Sequence, residues 1–283
     1  MGNPLFSILI ANYNNGKFFQ DCYNSIMAQT YSHWEVIIVD DASTDNSVAI
    51  IKKIIGEDTR FKVYENPENK GCGFTKRKCA ELATGELCAF LDPDDAITKE
   101  ALELMVAEHE KHPDASMVYS KHYFCDENLK IDTTRESQQV ENHKPFYFDF
   151  DGYIHHFLSY KKEYYDKTVG IDAYLQRAVD KDLILKLYEV GAAFFIDKAL
   201  YKYRVHKNGI STNQNEDKAY FWYWVTIIDA AKRRKINIED LYLEKALIGR
   251  KQIALQKEVD AYNKSFIFKA LRKLGLFKIF VKN

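Results

Sequence analysis

Leu87-Cys88-Ala89-Phe90-Leu91-Asp92-Pro93-Asp94-Asp95 joins five apolar residues to three carboxylates within four positions. A short, unbroken apolar run closed by a turn signal reads as a strand buried on both faces. Three like charges at its end repel one another, raise each other's pKa and cost stability unless a cation is present. Hard oxygen ligands suit Mg2+ or Mn2+, which take one or two carboxylates and leave the other positions to phosphates and water. An Asp-x-Asp on its own is a weak signal, more readily a solvated turn. Its weight depends on what surrounds it.

Similar apolar runs lie on either side. Leu5 to Ala11 and Val36 to Val39 precede it, and Phe61-Lys62-Val63-Tyr64 before it and Ala115 to Tyr119 after it also read as strands. Helical patterns alternate with them. Gly16 to Gln29 places Phe19, Tyr23, Ile26 and Met27 on one stripe. Val48 to Ile55 follows a cap at Thr44 or Asp45. Thr75 to Ala83 stops at Gly85, and Lys99 to Lys111 stops before Pro113. This alternation predicts an α/β fold: a mostly parallel, doubly wound sheet with helices on both faces.

Ligands of such sheets bind beyond the carboxyl ends of the strands. That rule selects Asn12-Tyr13-Asn14, Asp40-Asp41 and the Asp92 cluster. Ser43, Thr44 and Asp45 suffice to turn the chain after the second strand and cap the next helix. One of Asp40 and Asp41 is then left to accept hydrogen bonds from a ribose or a uracil imide.

Further along, Asp126 to Phe150 is polar and reads as a long connection over the sheet edge. Asp180 to Val190 is helical, Ala193 to Ile196 and Leu200 to Tyr203 read as short strands, and the pattern from Asn215 onward is helical. The expected organisation is a catalytic domain over 1–212 and a C-terminal helical extension over 213–283, with the boundary near Asn213. The tail from Asn263 interleaves Lys264, Lys269, Arg272, Lys273, Lys278 and Lys282 with apolar residues and has no acid. A basic amphipathic helix over 264–283 fits either an anionic membrane surface or packing on the catalytic domain.

Composition narrows the classes. A formal net charge of -1 over 283 residues gives no global attraction to nucleic acid. The five cysteines are odd in number and none pair at CxxC spacing, so neither a zinc site nor a disulfide framework is expected, and free thiols suit a reducing cytoplasm. Met1 to Asn12 lacks a basic stretch ahead of a long apolar run, and no 18 consecutive residues are apolar, so neither a signal peptide nor a transmembrane helix is expected. No GxGxxG follows the first strand and no GxxxxGK[ST] occurs. A phospho-receiver domain would carry its acidic pair after the first strand and need little more than half this length.

Taken in order, Ser7-Ile8-Leu9-Ile10-Ala11-Asn12-Tyr13-Asn14, Ser25-Ile26-Met27-Ala28-Gln29-Thr30-Tyr31, Trp34 to Asp45, Asn69-Lys70-Gly71, Arg77, Ala83-Thr84-Gly85-Glu86, Phe90 to Asp95, Val169-Gly170-Ile171-Asp172, Asp180-Lys181-Asp182-Leu183 and Tyr203-Arg204-Val205-His206 closely resemble family 2 glycosyltransferases. The resemblance covers most of residues 5–212. It implies a GT-A fold and an inverting transfer from a nucleotide sugar, UDP-linked in most of the family, to a glycan or lipid-linked acceptor, with Mn2+ or Mg2+ as cofactor. It places Ala11 and Tyr13 at the base, Tyr13 stacking on uracil, Asp41 at the base or ribose, and Arg77 on the nucleotide side. Asp94 and Asp95 would meet ribose, diphosphate and metal, with Asp92 the first carboxylate of the Asp-x-Asp. Asp180 would be the general base, and His206 would reach the metal or diphosphate.

Two departures stand out. Val179 occupies the position before the base where the family has Glu, and Lys78 stands where the family has Asn after the Arg. The adjacent His155 and His156 read as packing or acceptor-side contacts. A sugar-nucleotide nucleotidyltransferase would open with a Gly-rich basic loop that Asn12 to Gly16 lacks. An inactive sugar-nucleotide-binding protein is favoured only by Val179. The expected location is cytoplasmic, with possible peripheral contact at the inner membrane face.

Overall fold

The computed structural model describes residues 2–206 and 215–266. The boundary expected near Asn213 and the tail beyond Phe266 lie outside the described residues. By compactness the chain divides into one unit, Met1–Ala230, and a second, Ala231–Asn283.

In the first unit, β1 (Phe6–Asn12), β2 (Trp34–Asp40), β3 (Phe61–Glu65) and β4 (Leu87–Phe90) alternate with α1 (Phe19–Met27), α2 (Ser47–Ile55) and α3 (Cys72–Leu82). All neighbours among these strands are parallel. The apolar runs do not alternate because both sheet faces are covered. Ile8, Ile10, Val36 and Ile38 pack into one core with Phe19, Ile26 and Ile51 from α1 and α2. Leu9, Ile37 and Val39 pack into the other with Cys79 and Ala80 from α3. Asn12 lies opposite Asp40 in the β1–β2 register, so the polar strand ends share one rim.

Past β4 come β5 (Ala96–Ile97), α4 (Ala101–Lys111), β6 (Ala115–Cys125), β7 (Ile131–Arg135), β8 (Leu158–Lys161), α5 (Lys162–Tyr165), α6 (Val179–Val190), β9 (Ala192–Arg204) and α7 (Glu216–Arg234). The sheet runs β3-β2-β1-β4-β8-β6-β9-β5, with β7 beside β6. This half mixes directions. β8 runs antiparallel to both β4 and β6, and β9 is parallel to β6 but antiparallel to β5. The four residues of β8 are too few to carry a periodic signal. β9 is one strand where the sequence reads two. Its register jumps from Ile196 opposite Ser120 to Ala199 opposite Lys121, so Asp197 and Lys198 bulge outward and interrupt the apolar pattern.

Glu35 ties the opening strands together. Its buried carboxylate accepts from Ser7 Oγ at 2.7 Å, from Thr84 N and Oγ1 at 2.8 Å, and from Lys62 Nζ at 2.8 Å. Burial raises its pKa, but the bonds from Lys62, Thr84 and Ser7 outweigh it and bring the carboxyl from 4.5 to about 2. The folded value lies below the unfolded one. The stabilisation is therefore complete above pH 4.5 and is lost as pH falls toward 2. Glu35→Gln is expected to cost about 1–3 kcal/mol at neutral pH in urea unfolding. The gap from the parent should close across that acid window; a gap independent of pH would contradict the ionised network.

In the second unit, α8 (Glu239–Tyr242) leads through a widened turn, Leu243–Ile248, into α9 (Gly249–Lys264). Leu255, Val259 and Tyr262 are exposed at i, i+4 and i+7 spacing along α9. Among the described residues no helix is long and apolar enough to cross a membrane.

Candidate active site

A cleft of about 520 Å3 opens at the carboxyl ends of β1, β2 and β4. The turn after β4 forms its floor. Asp92, Asp94 and Asp95 line it, but their surroundings differ. Asp95 is buried, and both of its oxygens are engaged: Oδ2 accepts from Tyr201 Oη at 2.7 Å and Oδ1 from Arg204 N at 2.7 Å. Burial, then Asp94 and Asp92, push its carboxyl well above the ordinary range. Asp94 Oδ2 meets His206 Nε2 at 2.8 Å. Its carboxyl is also raised, by burial and then by Asp92, with His206 opposing. Asp92 is the more exposed of the three and faces Lys76 Nζ at 3.3 Å.

β9 returns to this turn and fixes it. It supplies Tyr201 and Arg204, and the chain just beyond supplies His206. Arg204 Nε donates to the Asp94 carbonyl at 2.6 Å, and its Nη2 meets Asp21 at 2.8 Å. Phe18 packs against both, with the Arg204 guanidinium 4.7 Å and the His206 ring 5.0 Å from its ring centre. Tyr201 Oη also lies 3.3 Å from Asp92 N. The acidic turn is thus held rigid by residues more than a hundred positions away.

Opposite the turn stands the start of α6. Ala178, at φ 56°, precedes Val179, and Asp180 lies in the first helical turn. Lys76 Nζ on α3, almost wholly buried, meets Asp180 Oδ1 at 2.8 Å. It therefore bridges Asp180 and Asp92. Burial raises the Asp180 pKa, but Lys76 and His156 outweigh it and the net shift is downward. Asp180 is held ionised at neutral pH.

The other rim carries the β1 and β2 ends. Ala11 and Tyr13 line the cleft, and Tyr13 is 45% exposed. Asp40 turns the chain, accepting from Asn12 Nδ2 at 2.6 Å and from Ser43 N and Oγ at 2.8 and 2.6 Å. Asp41 lines the cleft and holds the following loop. Its Oδ1 accepts from Asn66 Nδ2 at 2.8 Å and Lys70 N at 2.9 Å, and its Oδ2 from Gly71 N at 2.8 Å.

The structure brings Ala11, Tyr13, Asp41, Asp92, Asp94, Asp95, Asp180 and His206 to one cleft. Arg77 does not line it. Its guanidinium bonds Glu81 at 2.8 Å and the Ile171 carbonyl at 3.1 Å. The neighbouring Lys76 takes the interior position because α3 turns that face onto β4 and α6. Nothing in the run Thr75-Lys76-Arg77-Lys78 distinguishes a buried lysine from a solvated one. Lys78 acts at one remove, bonding Asn66 Oδ1 at 2.8 Å. Asp182, two residues after Asp180, points away from the cleft into a buried pair with Lys186 at 2.7 Å. His156, read as packing or acceptor-side, lines the cleft with Nε2 3.8 Å from Asp180 Oδ2.

Among the described residues no three His, Cys, Asp or Glu side chains converge as a ligand set. Asp94 and His206 form a close, desolvated carboxylate–imidazole pair, with Asp92 beside them. Two protein ligands fit Mn2+ or Mg2+ when phosphates and water supply the rest. The site fits a cation delivered with, or completed by, a diphosphate.

Comparison with known proteins places the chain in a family. The family described as "Glycosyl transferase family 2" matches residues 7–169. The chain belongs to glycosyl transferase family 2. It is 31% identical over 214 residues to a chondroitin synthase of Escherichia coli, across 74% of this chain and 30% of that protein. The chain thus spans less than a third of that relative's length. The structure of S. aureus TarS 1–349 in complex with UDP-GlcNAc aligns with TM-score 0.65 at 23% identity, over 79% of this chain and 66% of that one. Mannosyltransferase PcManGT from Pyrobaculum calidifontis, in complex with GDP-Man and Mn2+, aligns with TM-score 0.65 at 18% identity, over 97% and 81%. At these identities the two structures establish the fold, which is of GT-A type. The chain's curated relatives also include a chondroitin synthase of Pasteurella multocida, 26% identical over 91% of this chain and 27% of that protein.

Proposed function

We propose that this family 2 member is an inverting transferase that moves a sugar from a UDP-linked donor to a glycan or lipid-linked acceptor. The observation that carries the reading is the pairing of two acidic centres in one cleft. Asp92 and Asp180 stand on either side of Lys76, at 3.3 and 2.8 Å. One centre suits a diphosphate with its counter-ion, the other an acceptor hydroxyl. The UDP-GlcNAc in one structural neighbour, and the GDP-Man and Mn2+ in another, support a nucleotide sugar and a divalent cation.

In this reading Tyr13 and Ala11 hold the base and Asp41 the ribose or base. Asp94 and His206 hold the cation, with Asp92 adjacent. Asp95 keeps the turn in place through Tyr201 and Arg204. A bound divalent cation supplies Lewis-acid stabilisation of the departing diphosphate. Asp180 accepts the proton of the acceptor hydroxyl as its oxygen attacks the anomeric carbon, and the bonding pair to the diphosphate leaves on UDP. Lys76 keeps Asp180 ionised and aimed. The catalytic region is assigned to 1–212, and 213–283 to a helical extension.

A thermal-shift panel of nucleotide sugars with Mn2+ tests the donor class, because ligands of the native state raise its apparent stability. UDP should bind weakly without Mn2+ or Mg2+ and much more tightly with either. Equal affinity in the presence of a chelator would contradict the Asp94–His206 assignment. Peripheral membrane contact through residues 264–283 is proposed from their basic, apolar composition. Flotation with anionic vesicles should distinguish the full chain from a truncation before Lys264; equal behaviour of the two would end that assignment.

A further inference from the structure

His156 is a cleft-lining titratable group to which the proposed mechanism gives no contact with substrate. It sits at the end of the long segment between β7 and β8, and its ring is held in place. It stacks on Tyr201 at 4.9 Å with 19° between planes, and on Tyr203 at 6.4 Å and 23°. Behind it, His155 Nδ1 contacts the His156 carbonyl at 3.1 Å and His122 Nδ1 at 3.0 Å. The segment is anchored on α6 itself, where Lys181 Nζ meets Asp149 Oδ2 at 3.0 Å. A ring fixed this firmly, with its Nε2 turned to the cleft, has a defined target.

That nitrogen lies 3.8 Å from Asp180 Oδ2. The separation is too long for a strong hydrogen bond between the two. It is right for an oxygen placed about 2.8 Å from each. A hydroxyl there has one proton to give and lone pairs to receive. Asp180, ionised, can only accept; an Nε2–H, in the neutral ring or the imidazolium, can only donate.

We propose that His156 and Asp180 together form the acceptor-hydroxyl site, with Asp180 accepting the hydroxyl proton and His156 Nε2–H donating to the same oxygen. The ligand class is a sugar hydroxyl of the acceptor, and the assignment rests on the transferase reading above. The O–H bond breaks toward Asp180 while the oxygen pair forms the bond to the anomeric carbon and the diphosphate departs with its electrons. His156 gives up no proton in the step. It orients the nucleophile so that the remaining lone pair faces the donor.

The test is UDP release by the full chain with Mn2+. The donors are UDP-glucose, UDP-GlcNAc, UDP-GalNAc and UDP-glucuronate, and the acceptors are water or methyl β-glycosides of glucose, galactose and N-acetylglucosamine. His156→Phe keeps the stack on Tyr201 and removes the donor. It is expected to lower kcat/KM for the acceptor, or hydrolysis where water is the acceptor, about tenfold. UDP affinity by calorimetry should not change. His156→Gln, which keeps an N–H, should recover part of the loss. A Phe variant equal to the parent, or equal losses in the Phe and Gln variants, overturns the assignment and leaves the transferase reading standing. No UDP release by the parent from any donor overturns both.

Discussion

Asp180→Asn is expected to lower sugar transfer by about 10²- to 10⁴-fold, the range for loss of a general base. Nucleotide affinity should remain. The side chain keeps its size, and its amide oxygen can still meet Lys76. Lys76 also retains Asp92 at 3.3 Å, so the substitution strands no buried cation. What disappears is the proton acceptor. The next carboxylate along the helix does not take its place. Asp182 is buried against Lys186, and its Oδ2 also accepts from Asp172 N at 3.0 Å. The check is kcat/KM for transfer alongside calorimetric UDP binding. Activity retained within tenfold would place the base elsewhere, and parallel loss of UDP affinity would indicate a donor-site role.

The second large effect is on stability. Lys186→Met should destabilise the protein by about 3–5 kcal/mol, because removing one partner of a buried pair leaves the other charge uncompensated. Lys186 and Asp182 are each 1% exposed in their side chains and 2.7 Å apart. Lys186 also meets Asp172 at 2.9 Å and the Gly170 carbonyl at 2.7 Å. Its loss would free the 170–178 segment that leads into Asp180, so activity should fall with stability. Lys186→Met combined with Asp182→Leu should recover much of the loss, since apolar replacement of a whole buried pair is often neutral. Urea midpoints at neutral pH provide the check. A single-variant cost below about 1 kcal/mol would contradict the account of this pair.

The first half of the fold is legible because β1, β2 and β4 are buried on both faces. Apolar runs such as Leu5 to Ala11 and Leu87 to Leu91 stand out against polar turns, and the parallel βα order follows. The second half is obscured for local reasons. Leu158-Ser159-Tyr160-Lys161 is too short to show a period, and the Asp197-Lys198 bulge divides β9 in sequence but not in space. Carboxylates at strand ends were readable as a rim because the strand direction aligns them. Their division of labour was not. Asp95 differs from Asp94 through Tyr201 and Arg204, and Asp41 from Asp40 through Asn66, Lys70 and Gly71, all contacts set by tertiary packing. Lys76 and His156 carry no local signal. A lysine in a basic helical run, or one histidine of an adjacent pair, becomes informative only when Asp180 is brought beside it.

In the proposed mechanism the cleft between Asp94 and Asp180 transfers sugar from a nucleotide donor with inversion. The most direct test is NMR of the anomeric configuration of the first glycoside formed from an α-linked UDP-sugar with Mn2+. A β-linked product that requires the cation and vanishes with Asp180→Asn is the predicted result. An α-linked product, or turnover that survives both the chelator and the substitution, would contradict it.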